Sequence, residues 1–388
     1  MNVKEALFAL LRSEVFDEPL ENGVENCIRS VDLSALFSLA KRHDVAHLIG
    51  SALGKIDGVT ATETTKKLKQ EHFLAVYRYE QAQYELGEIC RILEEEQVEH
   101  IPLKGAIIRR YYPEAWMRTS CDIDVFIHKN DLARAIKALE EKLGYKHTGG
   151  CPHDESLYAP SGVHVELHHD LLEEHIAGNA TEYLRDVWSY TQTADAFTYK
   201  KEMADEMFYF YHIVHMAKHF KTGGCGIRAF LDTYILNHSL QSNQEKRDEL
   251  LEKGGYLQFE RGARELSEVW FSENEETALT KQMEGYVLHG GVYGTIDNRI
   301  AVDQAKKKSR FHYWLSRIFL PRRQLKLMYP VLEKHKYLTP VFWIVRLVQK
   351  LFGGGVKKSI REINASNSLS DTRREQTAKM LKELGLVE

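Results

Sequence analysis

The chain has 388 residues, of which 43% are hydrophobic and 28% are charged, an ordinary globular composition with enough apolar residues for a sizeable core. This composition excludes a disordered, collagen-like or disulfide-scaffold protein. The 52 Lys and Arg residues against 56 Asp and Glu residues give a formal net charge of −4, which does not favour a general nucleic-acid binder.

Residues 1–96 show helical periodicity and form the first predicted region. Its last helix is predicted to be long and to end near Glu96, because apolar residues recur there in alternating steps of three and four. The rest of the chain is divided into an α/β core at 97–175, a helical domain at 176–300 and a basic helical region at 301–388.

Within 97–175 the periodicity alternates between that of strands and that of helices. A short strand is predicted at 98–103, and strands with alternating apolar residues are predicted at 122–128 and 163–168. Helices are predicted at 105–112 and 132–143, the second with Asn130 as its N-cap and Gly144 just beyond its end. The predicted fold is α+β: a small mixed sheet with helices, flanked by N-terminal and C-terminal helical regions.

Three acidic residues on the predicted strands suggest a metal site. Side chains alternate along a strand, so Asp122 and Asp124 emerge on the same face about 7 Å apart. Glu166 lies on the last predicted strand and completes the cluster if the two strands pair. Three convergent carboxylates can hold two Mg²⁺ ions, which is typical of phosphoryl or nucleotidyl transfer. Upstream, Lys104 and Gly105 join a strand to a helix, where a glycine lets the backbone approach a phosphate.

These motifs, in this order, resemble the bacterial nucleotidyltransferase family proteins of the DNA polymerase β superfamily. The resemblance is strongest over 97–170 and is carried by Leu103-Lys104-Gly105, Tyr112-Pro113, Arg118, Asp122-Ile123-Asp124-Val125, Gly144-Tyr145 and Val165-Glu166-Leu167-His168. It implies that Asp122, Asp124 and Glu166 are the catalytic residues and bind Mg²⁺, or alternatively Mn²⁺. It also implies a reaction in which an NTP such as ATP gives a nucleotidylated acceptor and pyrophosphate.

The glycine turn departs from the superfamily's usual pattern. That pattern has a glycine followed by glycine or serine, whereas Gly105 is followed by Ala106, which offers no hydroxyl to a phosphate. Lys104 and Arg118 are candidate compensating cations, since both flank the acidic strand. Arg118 has an alternative role as a structural partner of the acids.

A second candidate phosphate site lies in the helical domain. Glycines at 223–226 lead into a helix carrying Arg228, close in sequence to Lys218, so both cations are candidate nucleotide-binding residues. The alternative for Arg228 is an ion pair with Asp232 one helical turn later. His212, His215 and His219 share one helical face, interpreted as a solvated or phosphate-facing surface; metal ligation is the alternative.

We therefore predict a Mg²⁺-dependent nucleotidyltransferase acting on a hydroxyl-bearing small molecule, protein or RNA. Two alternatives stay open: a catalytically silent binding protein of the same fold, favoured by Ala106, and a metal-dependent hydrolase using His164, Glu166 and His168.

The cysteine pattern and the apolar stretches favour a cytoplasmic protein. Five scattered cysteines form no C-x-x-C pair, and no signal peptide is visible. The longest apolar stretch, 338–352, is shorter than the roughly 20 residues of a membrane span and is predicted as an amphipathic helix. Residues 301–358 hold fourteen Lys and Arg against two acids, a net charge of +12. We expect the helix to pack on the protein itself, with the positive charge lining a cleft for an anion, and no peripheral membrane contact.

Overall fold

A computed structural model of the protein describes residues 1–172, 177–272, 274–292, 294–305, 318–352 and 370–387. The N-terminal region is helical, as predicted: α1 (Val3–Phe16), α2 (Asn22–Ser30), α3 (Leu33–Arg42), α4 (Ala46–Gly54) and α5 (Glu63–Glu95). The side chains of Asn2, Asp32 and Thr62 accept hydrogen bonds from first-turn amides and so fix where α1, α3 and α5 begin. The long predicted helix ends at Glu95, which confirms its predicted end near Glu96.

The described part of the chain contains one five-stranded sheet. Its strands are β1 (His100–Pro102), β2 (Asp122–Ile127), β3 (Lys146–Cys151), β4 (Asp154–Tyr158) and β5 (His164–His168). Their order across the sheet is β1-β2-β5-β4-β3; β2 and β5 run parallel, and the other neighbours are antiparallel. The mixed sheet of the predicted α+β fold is therefore present.

The two faces of this sheet differ in polarity because side chains alternate along each strand. Ile123, Val125 and Ile127 of β2 join Val165 and Leu167 of β5 in one buried apolar cluster. That cluster also contains residues from the end of α5 and from α7 (Leu132–Leu143). The acidic residues are left on the opposite face.

The segments between the strands differ from the prediction in three places. The 105–112 segment is a single α-helical turn, α6 (Gly105–Ile108), followed by a 3₁₀ turn at Arg109–Tyr111. A 3₁₀ turn at Lys129–Asp131 precedes α7, so Asn130 is not its N-cap, whereas Gly144 does end it with φ 68°. The hairpin β3–β4 was not predicted, because its exposed residues and Gly149-Gly150 give no alternating apolar pattern.

The second half of the chain is mainly helical and covers the polar face of the sheet. Its helices are α8 (Ala180–Arg185), α9 (Asp205–Lys221), α10 (Ile227–Ser239), α11 (Gln244–Gly254), α12 (Leu257–Phe271), α13 (Ala278–Gly290), α14 (Ile296–Ala305), α15 (Arg322–Met328), α16 (Thr339–Phe352) and α17 (Asp371–Glu383). A two-stranded sheet, β6 (Thr191–Thr193) with β7 (Lys201–Met203), precedes α9. One apolar cluster extends from Ala6 in α1 to Leu386 near the chain end, so the helical regions pack on one another.

The predicted amphipathic helix near the C-terminus is present as α16. Its Trp343 Nε1 donates a hydrogen bond to the carbonyl of Leu320 at 2.8 Å, and Phe342 packs on Tyr329. One side of α16 thus packs within the protein, while Val341, Ile344 and Val348 are exposed. The basic residues Lys306, Lys307, Lys308, Arg310, Arg317, Lys357 and Lys358 lie outside the described residues, so the predicted role of the +12 window stays a prediction. None of the described helices is long and apolar enough to span a bilayer.

Candidate active site

A cleft of about 400 Å³ lies between the polar face of the sheet and the helices α9 and α10. The sheet side of the cleft carries Asp122, Asp124, Glu166 and His168, and the turn before α6 adds Lys104 and Gly105. The helical side carries Tyr211, His212, His215, Lys218, His219, Arg228 and Asp232. All the residues predicted for the nucleotidyltransferase reaction therefore line this cleft, Arg118 included, whereas His164 of the alternative hydrolase is not among its lining residues.

The parallel pairing of β2 with β5 brings the three acids together. In this register Asp124 lies opposite Glu166, and Asp122 lies opposite His164. Two groups of side chains, Asp122 with His164 and Glu166, and Asp124 with Glu166 and His168, each place their ligand atoms within 4.8 Å of one another. Each group is suitable for holding a metal ion.

Asp124 is buried and is held by Lys104 and His168. Its Oδ1 accepts a hydrogen bond from Lys104 Nζ at 2.9 Å and lies 2.7 Å from His168 Nε2. Burial opposes ionisation of Asp124, but Lys104 and His168 together hold the pKa of its carboxyl well below its usual range. This carboxylate is therefore charged at any physiological pH.

Asp122 has the opposite electrostatics. Burial and the neighbouring charge of Asp124 raise the pKa of the Asp122 carboxyl, because the attraction of Lys104 only partly offsets these two effects.

Glu166 is half-buried, and its hydrogen bond with His168 lowers its pKa. His168 Nε2 lies 3.2 Å from Glu166 Oε2, so this imidazole bridges the acids of two strands. The His-x-Glu-x-His alternation on β5 is the sequence signal for His168.

The turn at Lys104-Gly105 is tightly constrained. Lys104 has φ 44°, a left-handed conformation that is uncommon for a residue with a side chain. A Cβ on Gly105 would lie 3.0 Å from Ser120 Cβ, a tight contact, so the close approach of these two segments favours glycine. Arg109 fixes both, because its Nε donates to the carbonyl of Gly105 and its Nη2 donates to Ser120 Oγ, each at 2.8 Å. Ser120 thereby brings a hydroxyl to the cleft beside the turn, where Ala106 supplies none.

Arg118 and Arg228 both have acidic partners, but not those predicted. Arg118 Nε donates to both oxygens of Asp232, at 2.7 and 2.9 Å, so Arg118 is not a partner of the Asp122 cluster. Arg228 pairs with Asp44 and donates to the carbonyl of Thr119 at 3.2 Å. The predicted ion pair of Arg228 with Asp232 is wrong, because each residue takes its partner from another segment of the chain.

The three histidines of α9 lie in the cleft at increasing exposure. His212 is buried and bonds Thr233 Oγ1 at 3.0 Å, His215 is half-buried and His219 is exposed. The solvated-surface interpretation is thus wrong for His212, because α9 forms a wall of the cleft. Burial lowers the pKa of His212 to about 4 and that of His215 well below its usual value, so both are neutral at pH 7. In the described part of the chain, none of the three belongs to a cluster suited to a metal.

Residues 29–272 match the family described as "Uncharacterised nucleotidyltransferase". The match covers more than half of the chain and both walls of the cleft. The chain belongs to this nucleotidyltransferase family. No curated protein and no solved structure shows significant similarity to it. Membership makes the protein a nucleotidyltransferase, and the acid cluster of β2 and β5 is where a nucleotidyltransferase can hold a metal ion.

Proposed function

We propose that this nucleotidyltransferase transfers a nucleoside monophosphate from an NTP to a hydroxyl acceptor in the cleft, using Mg²⁺. The observation that carries the proposal is the juxtaposition of Asp122, Asp124 and Glu166 on paired parallel strands, facing the cleft beside the Lys104-Gly105 turn. The order of these motifs also supports assignment to the DNA polymerase β superfamily.

The donor set fits a divalent ion. Carboxylate oxygens are the ligands that Mg²⁺ prefers, and the adjoining imidazoles of His164 and His168 also suit Mn²⁺. Asp122, Asp124 and Glu166 would hold the ion. When bound, the ion offsets the negative charge of the triphosphate and makes the acceptor hydroxyl more acidic.

The chain's own residues then bind the triphosphate and move one proton. The backbone amide at Gly105 and the side chains of Lys104 and Lys218 contact the phosphates. Arg118 and Arg228, each held by an acidic partner, line the same cleft as further nucleotide-binding residues. The acceptor oxygen attacks the α-phosphorus, the bond from that phosphorus to the bridging oxygen breaks, and pyrophosphate leaves. Glu166, whose carboxylate is kept ionised by its hydrogen bond with His168, takes the proton of the attacking hydroxyl.

The decisive experiment measures binding and turnover in Glu166→Gln. Calorimetry with each NTP and Mg²⁺ gives the affinity, and pyrophosphate release against a pool of acceptors gives the rate. We expect Glu166→Gln to retain nucleotide and to lose turnover by at least about 100-fold, since general-base catalysis contributes about that much. Glu155→Gln is the matched control, because Glu155 is on the neighbouring strand β4 but on the opposite face of the sheet. Equal activity of Glu166→Gln and the parent would remove Glu166 from the reaction.

A metal-dependent hydrolase is the second candidate, favoured by the Asp124, Glu166 and His168 group. An imidazole among the ligands suits Zn²⁺ better than Mg²⁺. Release of phosphate or of another hydrolysis product with Zn²⁺, without any acceptor and without pyrophosphate, would favour it. NTP binding without any turnover, across all acceptors and metals, would instead favour the silent binding protein.

A further inference from the structure

Tyr211, in the middle of α9, has a buried hydroxyl that faces the cleft. Its side chain is 1% exposed and lines the cleft, yet its hydroxyl has no hydrogen-bond partner among the described residues. An unpaired buried hydroxyl destabilises a folded protein, so such groups are uncommon outside sites that receive a ligand.

The other buried tyrosines of the described chain all have partners. Tyr209, two residues earlier on the same helix, donates to Glu260 Oε1 at 2.9 Å, and Tyr112 donates to Asp232 Oδ1 at 2.7 Å. The hydroxyls of Tyr145, Tyr256 and Tyr286 bond Glu85, the carbonyl of Ala177 and the carbonyl of Phe220. Tyr211 is therefore the buried tyrosine of the described chain whose hydroxyl has no hydrogen-bond partner.

The surroundings of Tyr211 combine a cation with the three acids of the cleft. Its electrostatic neighbours are Lys104, Asp124, Glu166 and Asp122, and its ring lies 6.0 Å from that of His215. Burial raises the pKa of the Tyr211 phenol above its usual value, so the hydroxyl keeps its proton and can donate it in a hydrogen bond. Lys104 is the cation among these neighbours, and the three acids are the proposed metal ligands. A phosphate group bound by Lys104 would bring acceptor oxygens into the part of the cleft that the Tyr211 hydroxyl faces.

We propose that the Tyr211 hydroxyl donates a hydrogen bond to the phosphate chain of the bound nucleotide, beside Lys104. This inference rests on the proposed nucleotide-binding function and adds a residue from the helical wall to it. A base or ribose contact is the competing assignment, because these parts of a nucleotide also carry acceptors.

The test is Tyr211→Phe, which removes only the hydroxyl. Calorimetry measures the affinity for Mg²⁺-ATP and for Mg²⁺-tripolyphosphate, which shares only the phosphate chain with ATP. We expect Tyr211→Phe to weaken both by about tenfold or more, the usual effect of one hydrogen bond to a charged group. The melting temperature of the free protein should stay the same or rise, because no hydrogen bond of the free protein is lost.

Tyr209→Phe is the matched control, since it makes the same change on the same helix outside the cleft. It should lower the melting temperature, because it leaves Glu260 without its phenol donor, and should leave both affinities unchanged. Weaker ATP binding with unchanged tripolyphosphate binding in Tyr211→Phe would assign the hydroxyl to the base or ribose and overturn the inference. If Tyr211→Phe binds Mg²⁺-ATP and Mg²⁺-tripolyphosphate as tightly as the parent does, the inference about Tyr211 is wrong, but the proposed nucleotidyltransferase function still stands. A parent protein that binds neither ligand would overturn both.

Discussion

Asp122 and Asp124 stand two residues apart on one strand but differ in their partners. Asp124 is held by Lys104 and His168, whereas burial and like charge raise the pKa of Asp122. From the sequence alone both residues are equivalent members of a D-x-D pair. The difference comes from contacts with residues 20 and 44 positions away.

We expect the two Asn substitutions to have opposite effects on stability in the absence of metal. Asp124→Asn leaves the half-buried Lys104 ammonium and the buried His168 imidazole without their carboxylate and should lower the free energy of unfolding by about 3 kcal/mol. Asp122→Asn removes a charge whose ionised form is disfavoured in the folded state, so it should leave stability unchanged or raise it slightly. Urea unfolding at pH 7 in the presence of a chelator measures both.

Both substitutions should also weaken binding of Mg²⁺-NTP and abolish transfer, because each removes a charged ligand. Equal stability of the two variants would show that Lys104 and His168 do not hold Asp124 as described. Unchanged Mg²⁺-NTP binding in both would show that these acids are not the metal ligands.

Single residues of the site were predictable from the sequence where strand alternation decides the face. Because successive side chains of a strand point to opposite faces, Asp122, Asp124 and Glu166 are predicted on one side of the sheet. Strand alternation does not reveal Tyr211 or Ser120, because their positions depend on how α9 and the 118–121 segment pack in three dimensions. Arg118 was expected near the acids, yet its partner is Asp232, 114 residues away.

At the scale of elements, the buried Arg118–Asp232 pair joins the segment before β2 to the helix α10. Both side chains are at least nine-tenths buried, and Tyr112 adds a second donor to Asp232. This pair fixes the distance between the sheet wall and the helical wall of the cleft.

We expect Asp232→Ala to lower the free energy of unfolding by about 3–5 kcal/mol, because it leaves a buried guanidinium uncompensated. The double variant Arg118→Met/Asp232→Leu should recover most of that loss, since two apolar side chains fill the same space without a charge. Urea unfolding of the single and double variants measures the difference. A double variant as unstable as Asp232→Ala would mean that packing, and not charge, accounts for the loss.

The strands were easier to predict than their connections. The strands β2 and β5 carry clear apolar alternation, so their predicted ranges agree with the structure to within one residue. In the hairpin β3–β4, β3 is an edge strand with mostly exposed residues, and β4 pairs with β5 on its other side. Local sequence carries little information about such a partner-dependent strand.

For the whole molecule, three buried histidines make stability depend on pH. Burial lowers the pKa of His43, His47 and His212 to about 4, from about 6.5 in the unfolded chain. His43 Nδ1 accepts a hydrogen bond from the amide of Ile227 at 3.3 Å, which a proton on that nitrogen would prevent. The unfolded state therefore binds more protons than the folded state between pH 6.5 and 4.

We expect the free energy of unfolding to be greatest above pH 6.5 and to fall by several kcal/mol as the pH decreases towards 4, since each pKa unit is worth about 1.4 kcal/mol. His43→Gln should flatten this dependence, because its amide oxygen can accept from Ile227 without titrating. His335→Gln, at an exposed position, is the control and should leave the slope unchanged. Urea unfolding at pH 7.5, 6.0 and 5.0 tests this, and an unaltered slope in His43→Gln would contradict it.

The predicted domain boundaries at 96, 175 and 300 stay predictions. The sequence indicates where helical and mixed periodicity alternate, but it does not show which regions share a core. In the structure, one apolar cluster contains residues from Ala6 to Leu386. The predicted regions therefore share a core, which agrees with the absence of a low-complexity linker in the sequence.

The two walls of the cleft come from segments as distant as Lys104 and Asp232, so the cleft exists only when both of these segments are folded against each other. A compound that contacts both walls consequently has no affinity for the unfolded chain and must raise the melting temperature. At 100 times its Kd such a compound adds about 2.7 kcal/mol to the free energy of unfolding. Thermal denaturation across a collection of sugars, nucleosides and peptides, with and without a non-hydrolysable NTP, can therefore identify the acceptor before any enzymatic assay exists.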